Sequence, residues 1–251
     1  MKTILLTGVL AVAAVAPGLM AQMKPKSNAE GDAVRALFAA KGQNDADATI
    51  KAAEDLLTKY ADTDYKEVAL LLEADAYQQK GDYADAEITD ERILDAYPKN
   101  PQAGMQLGEL IVQHVRENDL DKEDQLAKAE RRLNTALANV DTKPYVGMPD
   151  ASWEENKKYT KAEIQNDLGL VDLTRKQYDA AIANFKLSIA GDPQPAYQVR
   201  LASAYFQSGK YDDALATCDK LLADPQLHPT IKKLAEDIKA KSTKAKAGAG
   251  K

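Results

Sequence analysis

Very few residues of this chain have the types and spacing that catalysis or metal binding requires. Its two histidines, His114 and His228, lie far apart, and neither has a ligand-like spacing to another His or to a Cys. The single cysteine, Cys218, matches the position of Phe185 in a predicted helix, which favours a buried hydrophobic role over a reactive thiol. No nucleophile, base and orienting group can be placed together. The sequence therefore predicts that the protein is not an enzyme and holds no cofactor or catalytic metal ion.

One acidic turn has a partial calcium-loop pattern. Asp119, Asp121, Glu123 and Glu130 occupy its first, third, fifth and twelfth places, where such a loop supplies oxygen ligands. Asp124, however, stands where the sharp turn of that loop requires Gly. The alternative is that Asp121 caps a helix and that the acids after it favour the positive helix N-terminus. We prefer helix capping and keep cation binding as the second hypothesis.

The N-terminus has the pattern of a secretory signal peptide at residues 1–21. Lys2 gives it a charged start, and an apolar run of about thirteen residues follows from Ile4 to Ala16. This run is shorter than the roughly 20 residues that a membrane-spanning helix needs. A site of small residues ends at Ala21, after which we predict cleavage. The mature protein is expected to be periplasmic or secreted, with no membrane span.

Charge is unevenly distributed along the chain. The net charge is −6, of which the residues from Pro229 onward carry +5 and the preceding 228 residues carry −11. An acidic body is a poor match for nucleic acid, because phosphate contacts need clustered Lys and Arg. The single cysteine excludes an intramolecular disulfide, so packing must supply the stability.

The elements that carry these residues are repeated helices. Residues 80–100, 175–194 and 208–226 share one helix pattern at nearly constant offsets, and the last two of these stretches are 33 residues apart. Each opens a second helix with Tyr, places Ala three residues later and closes with Pro: Tyr83, Ala86 and Pro98; Tyr178, Ala181 and Pro193; Tyr211, Ala214 and Pro225. A period in this range with two helices per unit is typical of a helical solenoid.

The first helix of each unit carries a small residue at a matching place, Ala74, Gly169 or Ala202. Small residues let helices approach to roughly 8–10 Å. Together these positions resemble the tetratricopeptide repeat family, most strongly over residues 67–98 and 162–226. The resemblance implies an all-α fold, a right-handed helical solenoid of about five helix pairs plus a C-terminal capping helix.

Two residues depart from the family pattern. Asp90 and Asp172 stand where the family prefers aromatic or apolar residues, which leaves the packing there open. The unit at residues 59–103 is similar to repeats of bacterial cell-envelope assembly proteins, including those of outer-membrane β-barrel assembly and the Tol–Pal system. This similarity implies an envelope compartment.

The patterns also predict domain boundaries. Ile231, Leu234 and Ile238 form a narrow apolar stripe that suits a capping helix. The Lys, Ala and Gly residues that follow have too few apolar groups to pack. We predict a signal peptide (1–21), a divergent N-terminal helix pair (22–62), TPR-like repeats (63–140), an insertion with the start of a long helix (141–161), two repeats (162–228), the capping helix (229–241) and a disordered basic tail (242–251).

The insertion interrupts the repeat period. Ser152 and Glu155 form a capping box that predicts the start of the long helix. The insertion also holds a cluster of aromatic and apolar residues: Tyr145, Val146, Met148 and Trp153. This cluster either plugs the seam between the two halves of the solenoid or forms a contact for a partner. We prefer the plug, because large apolar patches in water are uncommon.

The resemblance further implies a concave groove lined by the first helix of each pair. Mixed apolar, amide and carboxylate groups suit an extended peptide or a helix. The Lys, Asn and Arg pattern with which some family members clamp a C-terminal carboxylate is missing, so that ligand is not expected. The predicted partner-binding residues are Leu71, Asp75, Gln78, Gln79, Met105, Glu109, Val112, Gln113, Asn166, Leu170, Leu173, Val199, Ser203, Phe206 and Gln207.

Two functions follow from these observations. The leading hypothesis is a non-catalytic protein–protein interaction scaffold of the bacterial cell envelope that binds a peptide or helix in the concave groove. The alternative is a module that binds a cation or an envelope glycan through the acidic turn at 119–130 and the basic C-terminal tail.

Overall fold

The computed structural model describes residues 23–142 and 150–249, and all regular secondary structure in these two stretches is α-helical. The all-α class predicted from the sequence is confirmed. The helices are α1 (Asn28–Gly42), α2 (Ala46–Lys59), α3 (Lys66–Lys80), α4 (Tyr83–Ala96), α5 (Pro101–His114), α6 (Lys122–Ala138), α7 (Asp150–Thr174), α8 (Tyr178–Gly191), α9 (Pro195–Gln207), α10 (Tyr211–Leu222) and α11 (Pro229–Ala249).

The chain divides into two compact units whose boundary falls within α7. We call residues 23–142 and 150–157 the N-terminal unit and residues 158–249 the C-terminal unit. In the N-terminal unit each helix from α1 to α6 packs on the next one along the chain. In the C-terminal unit α9 packs on α8, α10 and α11, and α10 packs on α11. Each unit is therefore a stack of sequential helices, as a solenoid requires.

Short local signals begin and end the helices. The side chains of Ser27, Asp45 and Asn100 accept hydrogen bonds from the backbone N–H three residues later and so cap α1, α2 and α5. Four of the connections within a helix pair contain a residue with left-handed backbone. Gly81 and Gly209 adopt this conformation with φ 77°, as glycine does at the end of many helices.

Side-chain hydrogen bonds link positions about one repeat apart. Asn100 donates from Nδ2 to Glu67, 33 residues earlier, at 2.8 Å, and Lys210 donates to Asp179, 31 residues earlier, at 2.6 Å. Asn100 therefore both caps α5 and ties it to the start of α3. These links keep the spacing between neighbouring repeats regular.

A large residue of the second helix packs into a notch left by a glycine of the first helix. A Cβ atom added to Gly108 would lie 2.5 Å from Cγ of Leu133, and one added to Gly169 would lie 2.7 Å from the ring of Phe185. Both distances are too short for any side chain. The glycines are therefore required by packing, and Gly169 fixes how α7 approaches α8.

The position of Leu133 and Phe185 recurs in two further helix pairs, again four residues after an alanine. Cys218 and Asp90 occupy it there, and all four residues are fully buried. The small first-helix residue of these two pairs is Ala202 or Ala74 rather than Gly. In these four pairs, large residues thus occur together with Gly, and small residues occur together with Ala.

The C-terminal helix differs from the sequence prediction. Ile231 and Ala235 of α11 are buried, and Leu234 and Ile238 pack against the same core cluster. The helix continues to Ala249, so the prediction of a disordered tail from residue 242 is wrong for residues 242–249. Ala and Lys favour helix, Ser242 is buried, and Lys246 pairs with Asp212 of α10.

The long helix after the insertion is present as α7, which begins at Asp150, two residues before the predicted capping box. Trp153 is buried, and Lys157 pairs with Asp141 at 3.3 Å within the N-terminal unit. The signal peptide and the rest of the predicted plug, Tyr145, Val146 and Met148, lie outside the described residues.

Candidate partner-binding surface

The first helices of the N-terminal unit place three charged residues at equal steps. Lys41 of α1, Asp75 of α3 and Glu109 of α5 follow each other at intervals of 34 residues. The ammonium of Lys41 pairs with the carboxylate of Asp75, which shows that consecutive first helices bring this position together. We call Lys41, Asp75 and Glu109 the charge row. It contains two of the predicted partner-binding residues.

Amide side chains lie one helical turn beyond the charge row. Gln79 is exposed and donates to the backbone carbonyl of Asn44 at 3.3 Å. Gln113 is half-buried and donates to Glu109 at 2.7 Å. The half-buried Gln78 has its Nε2 buried, and no hydrogen-bond partner for that atom occurs among the described residues. These amides give the face hydrogen-bonding groups suited to a peptide backbone.

Three predicted groove residues of this unit are buried instead. Leu71, Met105 and Val112 are at most 8% exposed, because α3 is packed between α2 and α4 and α5 between α4 and α6. The prediction that they offer apolar anchors to a partner is corrected accordingly. They belong to the core that holds the charge row in place.

The matching face of the C-terminal unit is more apolar. Leu170, Leu173 and Phe206 are half-buried and pack against the core cluster around Phe185. Gln207 is exposed and donates to Ser203 at 3.1 Å. This face therefore combines partly accessible apolar groups with an amide and a hydroxyl.

Two further predicted residues of the C-terminal unit are buried. Asn166 is 1% exposed and donates to Asp167 at 3.0 Å. Val199 packs in the core cluster that includes Ala202 and Cys218. The prediction that these two line an accessible groove is corrected in the same way, since both are held inside the helix stack.

Asp90 is an acid at a core position. Its side chain is fully buried, and neither carboxylate oxygen has a hydrogen-bond partner among the described residues. Burial raises the pKa of Asp90 well above its usual value, and the neighbouring carboxylates of Asp75, Glu91, Glu87 and Glu109 raise it further. Asp90 is thus coupled electrostatically to both acids of the charge row.

Cations on other helices compensate part of this acidic cluster. Lys128 of α6 contacts Glu87 at 2.7 Å and Glu91 at 3.1 Å. Arg132, one turn later, contacts Glu91 at 2.6 Å. The second-helix acids near Asp90 are therefore ion-paired with α6, and Asp75 is ion-paired with α1.

Burial also shifts the pKa of acids away from the charge row. It raises the pKa of Glu67 to about 7, although the hydrogen bond from Asn100 acts in the opposite direction. Burial likewise raises the pKa of Glu163, which is hydrogen-bonded to the Tyr197 hydroxyl. Both acids join neighbouring helices, so a structural role accounts for their positions.

The geometry of paired helices agrees with the comparisons to known proteins. A profile described as tetratricopeptide repeat matches residues 172–238. A solved tetratricopeptide repeat protein of Thermus thermophilus superposes with a TM-score of 0.58 and 20% identity, over 83% of this chain and 98% of that one.

Residues 172–238 match the tetratricopeptide repeat family, and the chain has the fold of such repeats.

Two further proteins match this chain in structure or in sequence. The solved structure of MamA protein superposes with a TM-score of 0.56 at 19% identity, over 79% of this chain and 96% of that one. Identity this low shows the fold alone. Tetratricopeptide repeat protein 21B of Xenopus laevis is 32% identical over 124 residues, which cover 47% of this chain and only 9% of the relative. The predicted solenoid fold is confirmed, and the chain spans a small part of that curated relative.

The acids of the acidic turn at 119–130 make local contacts in the described structure. Asp119 accepts from the backbone N–H of Arg116 at 2.7 Å, and Asp121 accepts from Gln125 at 3.0 Å. Within the described stretches, no group of three or more His, Cys, Asp or Glu side chains is arranged to hold a metal ion. Asp121 precedes α6, but its side chain makes no capping hydrogen bond to this helix, so the prediction that it caps the helix is wrong. Asp119 and Asp121 thus serve local contacts in this structure.

His114 and Cys218 also have packing roles in the repeats. The rings of His114 and Tyr83 lie with centroids 4.2 Å apart, and a ring nitrogen of His114 lies 2.7 Å from the carbonyl of Leu110. Cys218 is buried as predicted, and burial raises the pKa of its thiol to about 11. None of the helices in the described part of the chain is long and apolar enough to cross a membrane.

Sequence reasoning missed the acidic cluster around Asp90, although two signals for it were present. An acid occupies the core position where other repeats have Leu133, Phe185 or Cys218. The 34-residue spacing also aligns Asp75 with Glu109. Both signals appear only when positions are compared between repeats rather than within one helix.

Proposed function

We propose that this protein is a non-catalytic scaffold that binds a peptide or a helix of another protein in the concave groove formed by its first helices. The observation that carries the proposal is that each unit, taken by itself, has accessible polar side chains on its first helices. Gln79 and Gln113 lie on α3 and α5, and Ser203 and Gln207 lie on α9. Amides and hydroxyls suit the recognition of a peptide backbone or of a helix with polar side chains.

Apolar contacts add to this recognition in the C-terminal unit. Leu170, Leu173 and Phe206 retain partial exposure in the same unit as Ser203 and Gln207. Partly exposed apolar groups next to hydrogen-bonding groups are the usual composition of a protein interface. A minority of the contacts carries most of the affinity in such interfaces. We expect Phe206 to be the strongest single anchor, because aromatic residues dominate those contacts.

Photo-crosslinking in cells tests this assignment. A photoreactive amino acid is placed at Gln79, Gln113 or Gln207 of the groove face, with Ile88 of α4 and Leu187 of α8 as controls. Both control side chains are more than half exposed on second helices. The proposal expects one recurrent protein adduct from the groove positions and none from the controls. Adducts at the controls alone, or none anywhere, would overturn it.

We also propose that the scaffold works in the bacterial cell envelope. This part of the proposal is supported by the signal-peptide pattern of residues 1–21 and by the likeness of one repeat to envelope assembly proteins. Cell fractionation combined with sequencing of the mature N-terminus tests it. A mature protein in the periplasmic or secreted fraction that begins at Gln22 is expected, whereas an uncleaved cytoplasmic protein would refute the location.

A further inference from the structure

The N-terminal unit carries most of the negative charge of the chain. Residues 23–157 contain 28 Asp and Glu against 17 Lys and Arg, a net charge of −11. Residues 158–251 contain 11 acidic and 15 basic residues, a net charge of +4. A strongly acidic unit raises the local concentration of basic partners and speeds their association.

The charge row gives this general attraction a specific place. Its first step is an ion pair between the ammonium of Lys41 and the carboxylate of Asp75. Its second step brings two acids, Asp75 and Glu109, to the same position of consecutive first helices. The contact of Lys41 with Asp75 demonstrates that a lysine side chain fits against this acid of the row.

A second observation points to a cation at this place. Asp90 projects from α4, which packs on both α3 and α5, and its fully buried carboxyl has no hydrogen-bond partner within the described residues. A buried carboxyl without a partner is costly, and a basic group from outside relieves that cost when it arrives nearby. The two acids of the charge row and the buried carboxyl of Asp90 therefore favour the same kind of ligand, a cation.

We propose that the face formed by α3 and α5 binds a lysine or arginine side chain of a basic protein segment, with its cation between Asp75 and Glu109. The inference rests on the proposed function and specifies the chemistry of the partner. Glu109 keeps its hydrogen bond from Gln113 in this arrangement, since a carboxylate accepts several bonds. The neighbouring amides then hold the backbone of the segment.

Binding of the cation is linked to release of a proton from Asp90. The acids that face Asp90 are Asp75 of α3, Glu87 and Glu91 of α4 and Glu109 of α5, and they favour its protonated form. An incoming cation favours the ionised form instead, so the proton leaves to solvent as the complex forms. By linkage, affinity rises with pH until Asp90 is already ionised in the free protein.

The cations of the unit do not remove this linkage. Lys41 pairs with Asp75, and Lys128 and Arg132 pair with Glu87 and Glu91. These pairs are present in both the free and the bound protein. These ion pairs determine the charge around Asp90 in the free protein, and the cation of the partner changes that charge on binding.

The experiment measures binding of a fluorescent peptide in which Lys alternates with Ala and Leu, beside peptides with Gln or Glu in place of Lys. Glu109→Gln removes one charge from the row, and Glu123→Gln removes the same charge from an exposed site on α6. We expect the Lys peptide alone to bind, Glu109→Gln to weaken it by at least about threefold, and Glu123→Gln to change it by less than about half as much. Circular dichroism verifies that both variants are folded.

The proton linkage supplies an independent readout. Between about pH 5 and about pH 8 the Lys peptide should bind wild type more tightly as pH rises, and Asp90→Asn should lose this dependence. Asn keeps the size of the side chain but cannot ionise. Equal pH dependence in wild type and Asp90→Asn would overturn the role of Asp90.

Several outcomes separate this inference from the proposed function. Equal weakening by Glu109→Gln and Glu123→Gln would reveal only a general attraction to an acidic surface and would overturn the inference. Binding of the Gln or Glu peptide, or of no peptide at all, would also overturn it. In those cases a recurrent crosslinked partner at Gln79 or Gln113 would still support the groove as a protein-binding face. Failure of the crosslinks as well would reject both.

Discussion

Replacement of Asp90 by cysteine is expected to stabilise the N-terminal unit. The repeats pair a small first-helix residue with a buried second-helix residue, as in Gly108 with Leu133 and Ala202 with Cys218. Ala74 stands in the repeat of Asp90. Cysteine is therefore the residue that this chain itself uses beside an alanine. It fills nearly the same volume as Asp and carries no carboxyl group.

The size of the expected stabilisation follows from the burial of the Asp90 carboxyl. Asp90 is fully buried, and neither of its oxygens has a hydrogen-bond partner within residues 23–142 and 150–249. A buried polar group left in that state costs about 1–3 kcal/mol. Because the substitution opens no appreciable cavity, we expect Asp90→Cys to raise the free energy of unfolding by about 2 kcal/mol at about pH 4, where ionisation of the unfolded chain adds little.

The stabilisation by Asp90→Cys should increase with pH. The pKa of Asp90 is raised in the folded protein, so the folded state keeps a proton that the unfolded chain has released. The free energy of unfolding of wild type therefore falls as pH rises from about 4 to the folded-state pKa, by up to about 1.4 kcal/mol per pH unit. The advantage of Asp90→Cys should grow across the same window and then level off.

The assay is urea unfolding followed by the fluorescence of Trp153, with a reductant present. Trp153 is the single tryptophan of the chain and is buried in the N-terminal unit, so its signal reports on that unit. Equal unfolding midpoints for wild type and Asp90→Cys at both about pH 5 and about pH 8 would refute the reasoning. Asp90→Leu supplies a steric control, because leucine is too large to pack beside Ala74. The Asp90→Leu variant should therefore be more stable than wild type only when Ala74→Gly is introduced as well.

Three further predictions concern the repeats. Gly169→Ala should destabilise by about 1–3 kcal/mol in thermal unfolding, because its Cβ would lie 2.7 Å from Phe185, whereas Gly42→Ala, with nothing within 4 Å, should not. Lys176→Gly should stabilise by about 1 kcal/mol, since Lys176 has φ 63°, and an unchanged urea midpoint would contradict this. Cys218 should react with iodoacetamide only after unfolding, because it is buried and its thiol pKa is raised to about 11; rapid labelling of the folded protein would show that the site opens.

The repeat architecture could be predicted from the sequence because its signals are local and recur. Tyr83, Tyr178 and Tyr211 each begin a second helix, as their alignment predicted. The burial of Cys218 followed from its match to Phe185. Such positions are constrained by packing within one repeat, so a short stretch of sequence contains the information.

The accessible part of the surface was harder to predict. Leu71 and Met105 lie on first helices, as expected, but the neighbouring second helices cover them. The helical period predicts the direction in which a side chain leaves its own helix. It does not predict how much of that side chain a neighbouring helix covers. The tail was mispredicted for a related reason, because Ser242 is buried and Lys246 pairs with Asp212 only once α11 lies against α10.

The ion pair between Lys41 and Asp75 restricts how the repeats of this chain can be rearranged. A glycine and the large residue that fills its notch belong to one repeat, so duplication or exchange of whole repeats carries both together. Lys41 and Asp75 instead belong to consecutive repeats. Duplication of the repeat that holds Asp75 would place two copies of this aspartate next to each other, and only the first copy would face a lysine. Exchange of the first two repeats would separate Lys41 from Asp75 and remove this ion pair, so the pair favours the native order of these repeats.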